Sequence, residues 1–515
     1  MAESRVKKTL LNARVNLIFY FLTLLLSFFS RKIFLDCLGA DFVGLTGTLQ
    51  NLLGFLNLAE LGIGSAIGYV LYKPLFDNDR DSINEIISVM GYLYRWIGML
   101  ILGAGLILAC FLPLIFPDSD TGFSLPLIYF VYFAFLTSSL IGYFINYRQN
   151  LLGADQRNYV VTGYFQSVNI LKTVVQMAAA YYTRSYYLWA AIEITFGITY
   201  SFILNWKINQ TYPWLRAEIA LGRAVFKKYP EVMRYTRQLF IQKISYIVQY
   251  QTVPFLIYAF VNLKIVAFYG NYTIVTDKLA NLVNTFLESS GASIGNLIAE
   301  GNQNKIKKLF WELISMRYFV GGVLSYAVYT LINPFICLWL GAEYLLPDIV
   351  VILIVVNIFI SYTRGGVMQF LFGYGLFYDV WAPIAEIVIN LSVATVGGHL
   401  YGLPGVIMGG ITSQILIVCI WKPYFLFRKG FNQSVLVYWR GILLRMVCIA
   451  IPILTTNALI RHLFPESVTS FTAWIMLAIT AVGSYVAQEL VLTLSLTKGM
   501  RDFVSRFIPK RFKTN

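Results

Sequence analysis

At 515 residues, 58% of them hydrophobic and only 13% charged, the chain carries more apolar surface than one aqueous core can bury, so lipid has to be its main solvent. Its formal charge of +15 comes from Lys and Arg set beside apolar runs, which points to anionic membrane lipids and away from nucleic acid. Five Cys lying mostly inside apolar runs, and two His (His399 and His462) far apart and without ligand-like spacing to a Cys, give no reason to expect disulfides or a metal site.

A helix that crosses the hydrocarbon layer needs roughly 20 apolar residues. The first run, Val15 to Phe29, continues into Arg31 and Lys32 without a small-residue cleavage site, and reads as a retained span. Apolar runs between breakers then predict about fourteen spans, near 12–34, 43–72, 90–116, 125–147, 159–181, 187–206, 238–260, 271–299, 309–338, 347–373, 380–399, 403–426, 439–460 and 471–496. Lys and Arg alternate between loops. Arg5, Lys7, Lys8, Lys73, Arg80, Arg148, Arg157, Lys305, Lys307, Lys308, Lys422, Arg428, Lys429 and the basic tail fall on one side, which the positive-inside rule makes cytoplasmic. Both termini are therefore expected inside.

The longest external segment, 207–237, carries Lys227, Lys228, Arg234 and Trp214 and reads as a basic interfacial linker. It separates an N-terminal lobe of six helices (1–206) from a C-terminal lobe of six (238–426), with two accessory helices and a basic tail following (427–515). The division coincides with a weak internal repeat. A shift of 227 places Gln50 on Asp277, Asn57 on Asn284 and Gly64 on Gly291; a shift of 226 places Asn16 on Gln242 and Gly44 on Gly270. Gln149, Leu151 and Gly153 recur at a shorter offset as Gln369, Leu371 and Gly373. Six intervening spans give the copies one orientation, a parallel repeat of the transporter type.

Polar side chains inside spans are costly, so their arrangement marks faces that avoid lipid. In the first span Asn16, Tyr20, Thr23, Ser27 and Ser30 form one stripe; in the seventh, Gln238, Gln242, Ser245, Gln249 and Thr252 repeat it. The eighth has Asp277, Asn281, Asn284 and Glu288 on one face, and the second has Gln50, Gly54, Asn57, Glu60 and Gly64. Facing one another, such stripes line a polar cleft; the alternative is a set of helix-packing seams. Arg31, Lys243, Lys278, Lys172 and Arg364 lie in or at the edge of spans, where a central cation costs about 2.5 to 3.5 kcal/mol. Arg31, Lys243 and Arg364 can snorkel to headgroups. Lys172 is placed to pair with Glu193 or to meet a ligand. Together Lys278, Arg31 and Lys243 would form a cationic patch for an anionic substrate. Glu60, Asp277 and Glu288 are the candidates for coupling to H+ or Na+, and no Walker-type loop offers ATP as an energy source.

The stretch LGADFVGLTGTLQNLLGFLNLAELGIGSAIGYVLYKPL (38–75), followed by YRQNLLGADQRNYV (147–160), resembles bacterial Wzx-type flippases of the polysaccharide biosynthesis transporter family. These belong to the multidrug/oligosaccharidyl-lipid/polysaccharide exporter superfamily. The resemblance implies a non-enzymatic carrier of a bacterial cytoplasmic membrane, without cofactor, that turns undecaprenyl-diphosphate-linked oligosaccharide from the cytoplasmic to the periplasmic leaflet by alternating access. The cargo would be a repeat unit of O-antigen, capsule or exopolysaccharide, with glycosyltransferases and a polymerase of the same pathway as partners. By position it puts Arg31, Lys243 and Lys278 at a cationic cavity; the polar stripes add Asn57, Asn281, Asn284 and Gln249 as candidate substrate-binding groups. Competing readings are a drug or cation antiporter of the same superfamily, a lipid II flippase, and, from another class, a membrane glycosyltransferase or polymerase.

Overall fold

The computed structural model describes residues 5–56, 60, 62–117, 122–287, 294, 297–298, 300–376, 378–464 and 468–506, with backbone alone described at 5–10, 13, 65, 237–250 and 284–287. Every described element is helical. Ten helices among the described residues are long and apolar enough to cross a membrane, so the chain is a polytopic, all-helical membrane protein. Of the other four expected spans, 159–181 and 238–260 fall on helices, 43–72 is divided between Ala40–Leu56 and Ile63–Asp77, and 271–299 is helical through Leu287, beyond which part of it lies outside the described residues.

By internal contacts the chain divides into two compact units, 1–267 and 268–515. In the first, α1 (Arg5–Leu38), α2 (Ala40–Leu56), α3 (Ile63–Asp77), α4 (Arg80–Ile115) and α5 (Leu125–Phe144) are followed by the short α6 (Gln149–Ala154). A helical hairpin of α7 (Asn158–Thr183) and α8 (Tyr186–Thr211) comes next, then α9 (Ile219–Val225) and α10 (Pro230–Phe260). Helix α1 lies along α7, α8 packs on α5 and α7, and α10 packs on α2 and α3. The apolar core of this unit includes Phe42, Leu45, Leu49, Ile86, Met90, Ile128 and Tyr132, all nearly inaccessible.

Helix α4 starts ten residues earlier than its apolar run suggests, because the segment between α8 and α10 satisfies its polar first turns. The Asn84 side chain accepts from the Arg216 N–H at 2.8 Å, and the Ser88 hydroxyl accepts from the Glu218 N–H at 3.0 Å. Glu85 takes both the Lys228 ammonium (2.6 Å) and the Tyr229 hydroxyl (2.5 Å), while the Arg80 guanidinium lies 5.3 Å from the Trp214 ring. Just beyond α8, Tyr212 donates to Asp155 at 2.8 Å; burial, and then that carboxylate, raise the pKa of its hydroxyl.

The second unit begins within α11 (Leu263–Leu287) and continues with α12 (Gln303–Trp339), α13 (Asp348–Thr363), α14 (Gly365–Gly373), α15 (Trp381–Tyr401), α16 (Leu403–Ser413) and α17 (Lys422–Lys429). A π-helical stretch, Gln414–Trp421, joins α16 to α17. Then come α18 (Leu436–Leu463), α19 (Phe471–Leu496) and α20 (Lys498–Ser505). Helix α12 is the spine, contacting α13, α19 and α20, and α15 pairs with α16 over the most extensive helix contact in the unit. That contact is close because Gly405 backs onto the Gly397 carbonyl, where a Cβ would come within 1.9 Å of the oxygen.

Turn chemistry recurs between the two halves of the sequence. Asn78 (φ 55°) precedes Asp79, whose carboxylate accepts from the Ser82 N–H at 3.1 Å; Gly301 (φ 74°) precedes Asn302, whose side chain accepts from the Lys305 N–H at 3.1 Å. After α6 the Arg157 N–H bonds back to the Leu152 carbonyl over left-handed Gln156, and after α14 the Leu376 N–H bonds to the Leu371 carbonyl over left-handed Gly375. The first pair of turns is offset by 223 residues and the second by 219, from the residue numbers alone. The starts of α2 and α11 also differ by 223. The side-chain matches at 226 and 227 are therefore displaced by about one helical turn, which preserves the face but not the level.

Candidate functional site

The α7–α8 hairpin turns at Arg184, left-handed at φ 51°, and restarts with the Ser185 hydroxyl accepting from the Leu188 N–H at 3.3 Å. That turn sets Lys172 and Glu193 at comparable depth on facing helices. Their side chains meet: Lys172 Nζ is 2.8 Å from Glu193 Oε1, with 19% and 14% of the two side chains exposed. Gln176 donates to the other carboxylate oxygen at 3.1 Å and to the Trp189 carbonyl at 3.2 Å. Both acidic oxygens are thus occupied, which is what a charge pair needs before low-dielectric burial becomes tolerable.

The pair opens onto a cavity of about 480 Å³ between α5, α7 and α8, whose other polar walls are Ser138, Asn146, Gln149, Asn169, Tyr200 and Ser201. A hydrogen-bonded track continues from it. Asn146 donates to the Ser201 hydroxyl (2.9 Å) and accepts from Asn205 (3.1 Å), and Arg148 reaches Asn205 (2.8 Å) and Asn209 (3.0 Å). Tyr200 donates to Gln149 at 3.3 Å. The cavity wall is rich in amide and hydroxyl groups and carries one neutralised ion pair, a lining suited to water or a polyhydroxylated group rather than to a hydrocarbon.

A second polar centre lies in the same unit. Helix α2 ends at Leu56 and α3 begins after Gly62 (φ 93°), so the expected stripe through the second span is divided between elements. Glu60 falls in the connection, where Tyr94 donates to its Oε1 at 2.5 Å and Tyr143 also bonds its carboxylate. Both phenols are nearly buried, at 4% and 8% exposed. Gly64 makes the room: a Cβ there would approach the Tyr94 oxygen to 3.2 Å and Glu60 Oε1 to 3.3 Å. Among the described residues no Lys or Arg pairs with Glu60, so neutral hydroxyl donors supply its solvation.

Of the expected cations, Arg31 belongs to the first unit and donates to the Ala267 carbonyl at 2.7 Å, at the start of α11. That partner answers part of its hydrogen-bonding demand within the protein. The stripe above it is largely self-satisfied, since Thr23 bonds the Phe19 carbonyl, Ser27 the Leu24 carbonyl and Ser30 the Ser27 carbonyl. Lys278 is half-buried on α11 in the second unit, within electrostatic reach of Asp277. Asp277 and Asn281 lie on the exposed side of that helix. Arg364 occupies the junction between α13 and α14. Asn57 and Glu288 lie outside the described residues, as do the side chains of Lys243, Gln249 and Asn284.

Several buried charges escaped the sequence reading. Arg317 on α12 is 2% exposed and donates to the Tyr362 carbonyl at 3.3 Å, packed against Gly365. Arg445 on α18 is 5% exposed, and Glu489 on α19 is fully buried beside Tyr485. Glu312 pairs with Arg506, and Asp379 with Lys422 at 2.7 Å. Each interrupts or borders an apolar run, so the scan that singled out Lys172 could have found them too.

Among known proteins no family model matches the chain, and no curated protein matches it in sequence. Solved structures do resemble it, two of them with the same fold over most of the chain. One is the lipid II flippase MurJ in an inward closed conformation, with a TM-score of 0.66 at 12% identity over 93% of this chain and 99% of that one. The other is an inward-facing multidrug resistance MATE family transporter of the MOP superfamily, with a TM-score of 0.60 at 13% identity over 81% of this chain and 98% of that one. The chain has the MurJ and MATE transporter fold. Both neighbours are membrane transporters rather than enzymes, and the near-complete coverage of each makes the whole described chain, not one segment, the unit that shares this architecture.

Proposed function

We propose that this chain is a flippase for undecaprenyl-diphosphate-linked oligosaccharide, carrying a repeat unit of O-antigen, capsule or exopolysaccharide from the cytoplasmic to the periplasmic leaflet by alternating access. The observation that carries the proposal is the fold shared over nearly the full length with a protein named for flipping a lipid-linked precursor. An amphiphile of that kind needs a wet, positively biased path for its diphosphate and glycan, while its tail stays in lipid. In this reading Arg31, Lys243 and Lys278 attract the diphosphate, and Asn57, Gln249, Asn281 and Asn284 bond the glycan. The reading takes 1–206 and 238–426 as two six-helix lobes joined by the basic linker 207–237, with 427–515 accessory. Glu60, Asp277 and Glu288 couple the cycle to H+ or Na+; the phenol-held carboxylate of Glu60 supports an ionisable group poised inside the protein.

The test is accumulation of lipid-linked oligosaccharide on the inner leaflet after depletion of the protein, reversed by the wild-type chain and not by Lys278→Ala expressed at normal level. Full rescue by that variant overturns the substrate assignment for Lys278. The MurJ likeness also favours a second cargo, lipid II. Rescue of a lipid II flipping defect, without effect on other lipid-linked glycans, selects it. Drug efflux without either activity selects the antiporter branch that the MATE likeness represents.

A further inference from the structure

Arg445 is a buried cation whose described protein partners are all neutral. Its Nη1 donates to the Gly441 carbonyl at 2.7 Å and its Nη2 to the Ser315 hydroxyl at 2.6 Å, and the guanidinium lies 4.6 Å from the Trp311 ring. Among the described residues no carboxylate comes within ion-pair distance of it. A guanidinium removed from water in this way keeps a charge that its neutral partners do not cancel and that an anion would stabilise.

Beside it is a cavity of about 440 Å³ formed by α12, α18 and α20. Lys307, Lys308, Lys498 and Arg445 line it, against a single acid, Asp502, which is 3.4 Å from Lys308. The cations therefore outnumber the acids four to one around a space the size of a small-molecule pocket. The same cavity is bordered by Leu444 and Leu496, whose side chains are 37% and 45% exposed, and by Trp311, a residue type that favours the headgroup level of a bilayer. A lining that joins positive side chains to exposed apolar ones is the complement of an amphiphile with an anionic head.

We propose that this cavity binds the phosphate-bearing headgroup of an anionic phospholipid, with Lys307, Lys498 and Arg445 on the phosphate and Leu444 and Leu496 along the first part of an acyl chain. The site concerns the second unit alone and does not depend on what cargo the protein carries.

The experiment uses the purified full-length chain. Native mass spectrometry with phosphatidylglycerol and phosphatidylcholine of matched acyl chains reads retention, and thermal unfolding reads stabilisation by each lipid and by inorganic phosphate. Wild type retains phosphatidylglycerol in preference, and the doubly substituted Lys307→Gln/Lys498→Gln protein, altered at a half-buried and an exposed side chain, retains about tenfold less while still folding. Arg445→Gln is the stricter variant, and the two lysine substitutions keep the test decisive where that buried substitution fails to fold. Equal retention of the two lipids by wild type, or unchanged phosphatidylglycerol retention by the double variant, overturns the proposal. Protection by inorganic phosphate as strong as that by phosphatidylglycerol also overturns it, in favour of a soluble phosphate.

Discussion

Lys172 Nζ and Glu193 Oε1, 21 residues apart on adjacent helices, form a 2.8 Å ion pair at a cavity wall, and Gln176 occupies the second carboxylate oxygen. Removing one member strands the other. Lys172→Ala is expected to destabilise the protein by about 1–3 kcal/mol, less than a fully buried pair because both side chains keep some exposure. Lys172→Ala/Glu193→Ala should be more stable than either single variant. Thermal unfolding of all four proteins in one detergent checks this, and purely additive losses would show that the pair is not coupled.

Tyr94 and Glu60 offer a separate test, because the phenol can be removed without changing shape. Tyr94→Phe deletes the donor to Glu60 Oε1 and should cost about 1–3 kcal/mol through an under-solvated carboxylate. Tyr94→Phe/Glu60→Gln should recover part of that loss. If Glu60 is the coupling group proposed above, Glu60→Gln also makes transport indifferent to the imposed proton gradient while leaving protein yield intact; a retained gradient dependence removes Glu60 from that role.

Gly44 and Gly47 are one turn apart on α2 but differ in what surrounds them. A Cβ at Gly44 would lie 2.0 Å from the Leu263 carbonyl oxygen, whereas at Gly47 it would meet nothing within 4 Å. Gly44→Ala should cost about 1–3 kcal/mol by forcing α2 from the start of α11, and Gly47→Ala should be near neutral or slightly stabilising. Parallel measurement of melting temperature and transport distinguishes them. Equal behaviour of the two variants means that the close approach is not maintained.

Glu489 is fully buried, and its Oε1 is so near Gly322 that a Cβ there would come within 2.7 Å. The Tyr485 hydroxyl lies 3.0 Å from that same Cβ position, and among the described residues no Lys or Arg pairs with Glu489, so a negative charge there gains little. Glu489→Gln keeps volume and removes the charge, so the melting temperature should stay level or rise. A fall equivalent to more than about 1 kcal/mol would mean that the carboxylate is solvated by something the present contacts omit.

The sequence by itself determined the class of molecule: an all-helical membrane protein whose spans follow from runs of apolar residues, and two facing groups, Lys172 and Glu193, that could pair. These are local properties, fixed by helical rise and by which side chains lipid tolerates. It also exposed the recurring pattern, but displaced by one helical turn, because side chains three or four residues apart occupy the same face and an alignment by polarity cannot tell one level from the next. Only the tertiary structure decided the partners. Tyr94 and Tyr143 come to Glu60 across a break at Gly62, Arg31 finds the Ala267 carbonyl 236 positions away, and Arg445 is left among neutral groups at a cationic cavity. Helix faces are written in sequence spacing, whereas the neighbour that a face meets depends on the packing of elements distant along the chain.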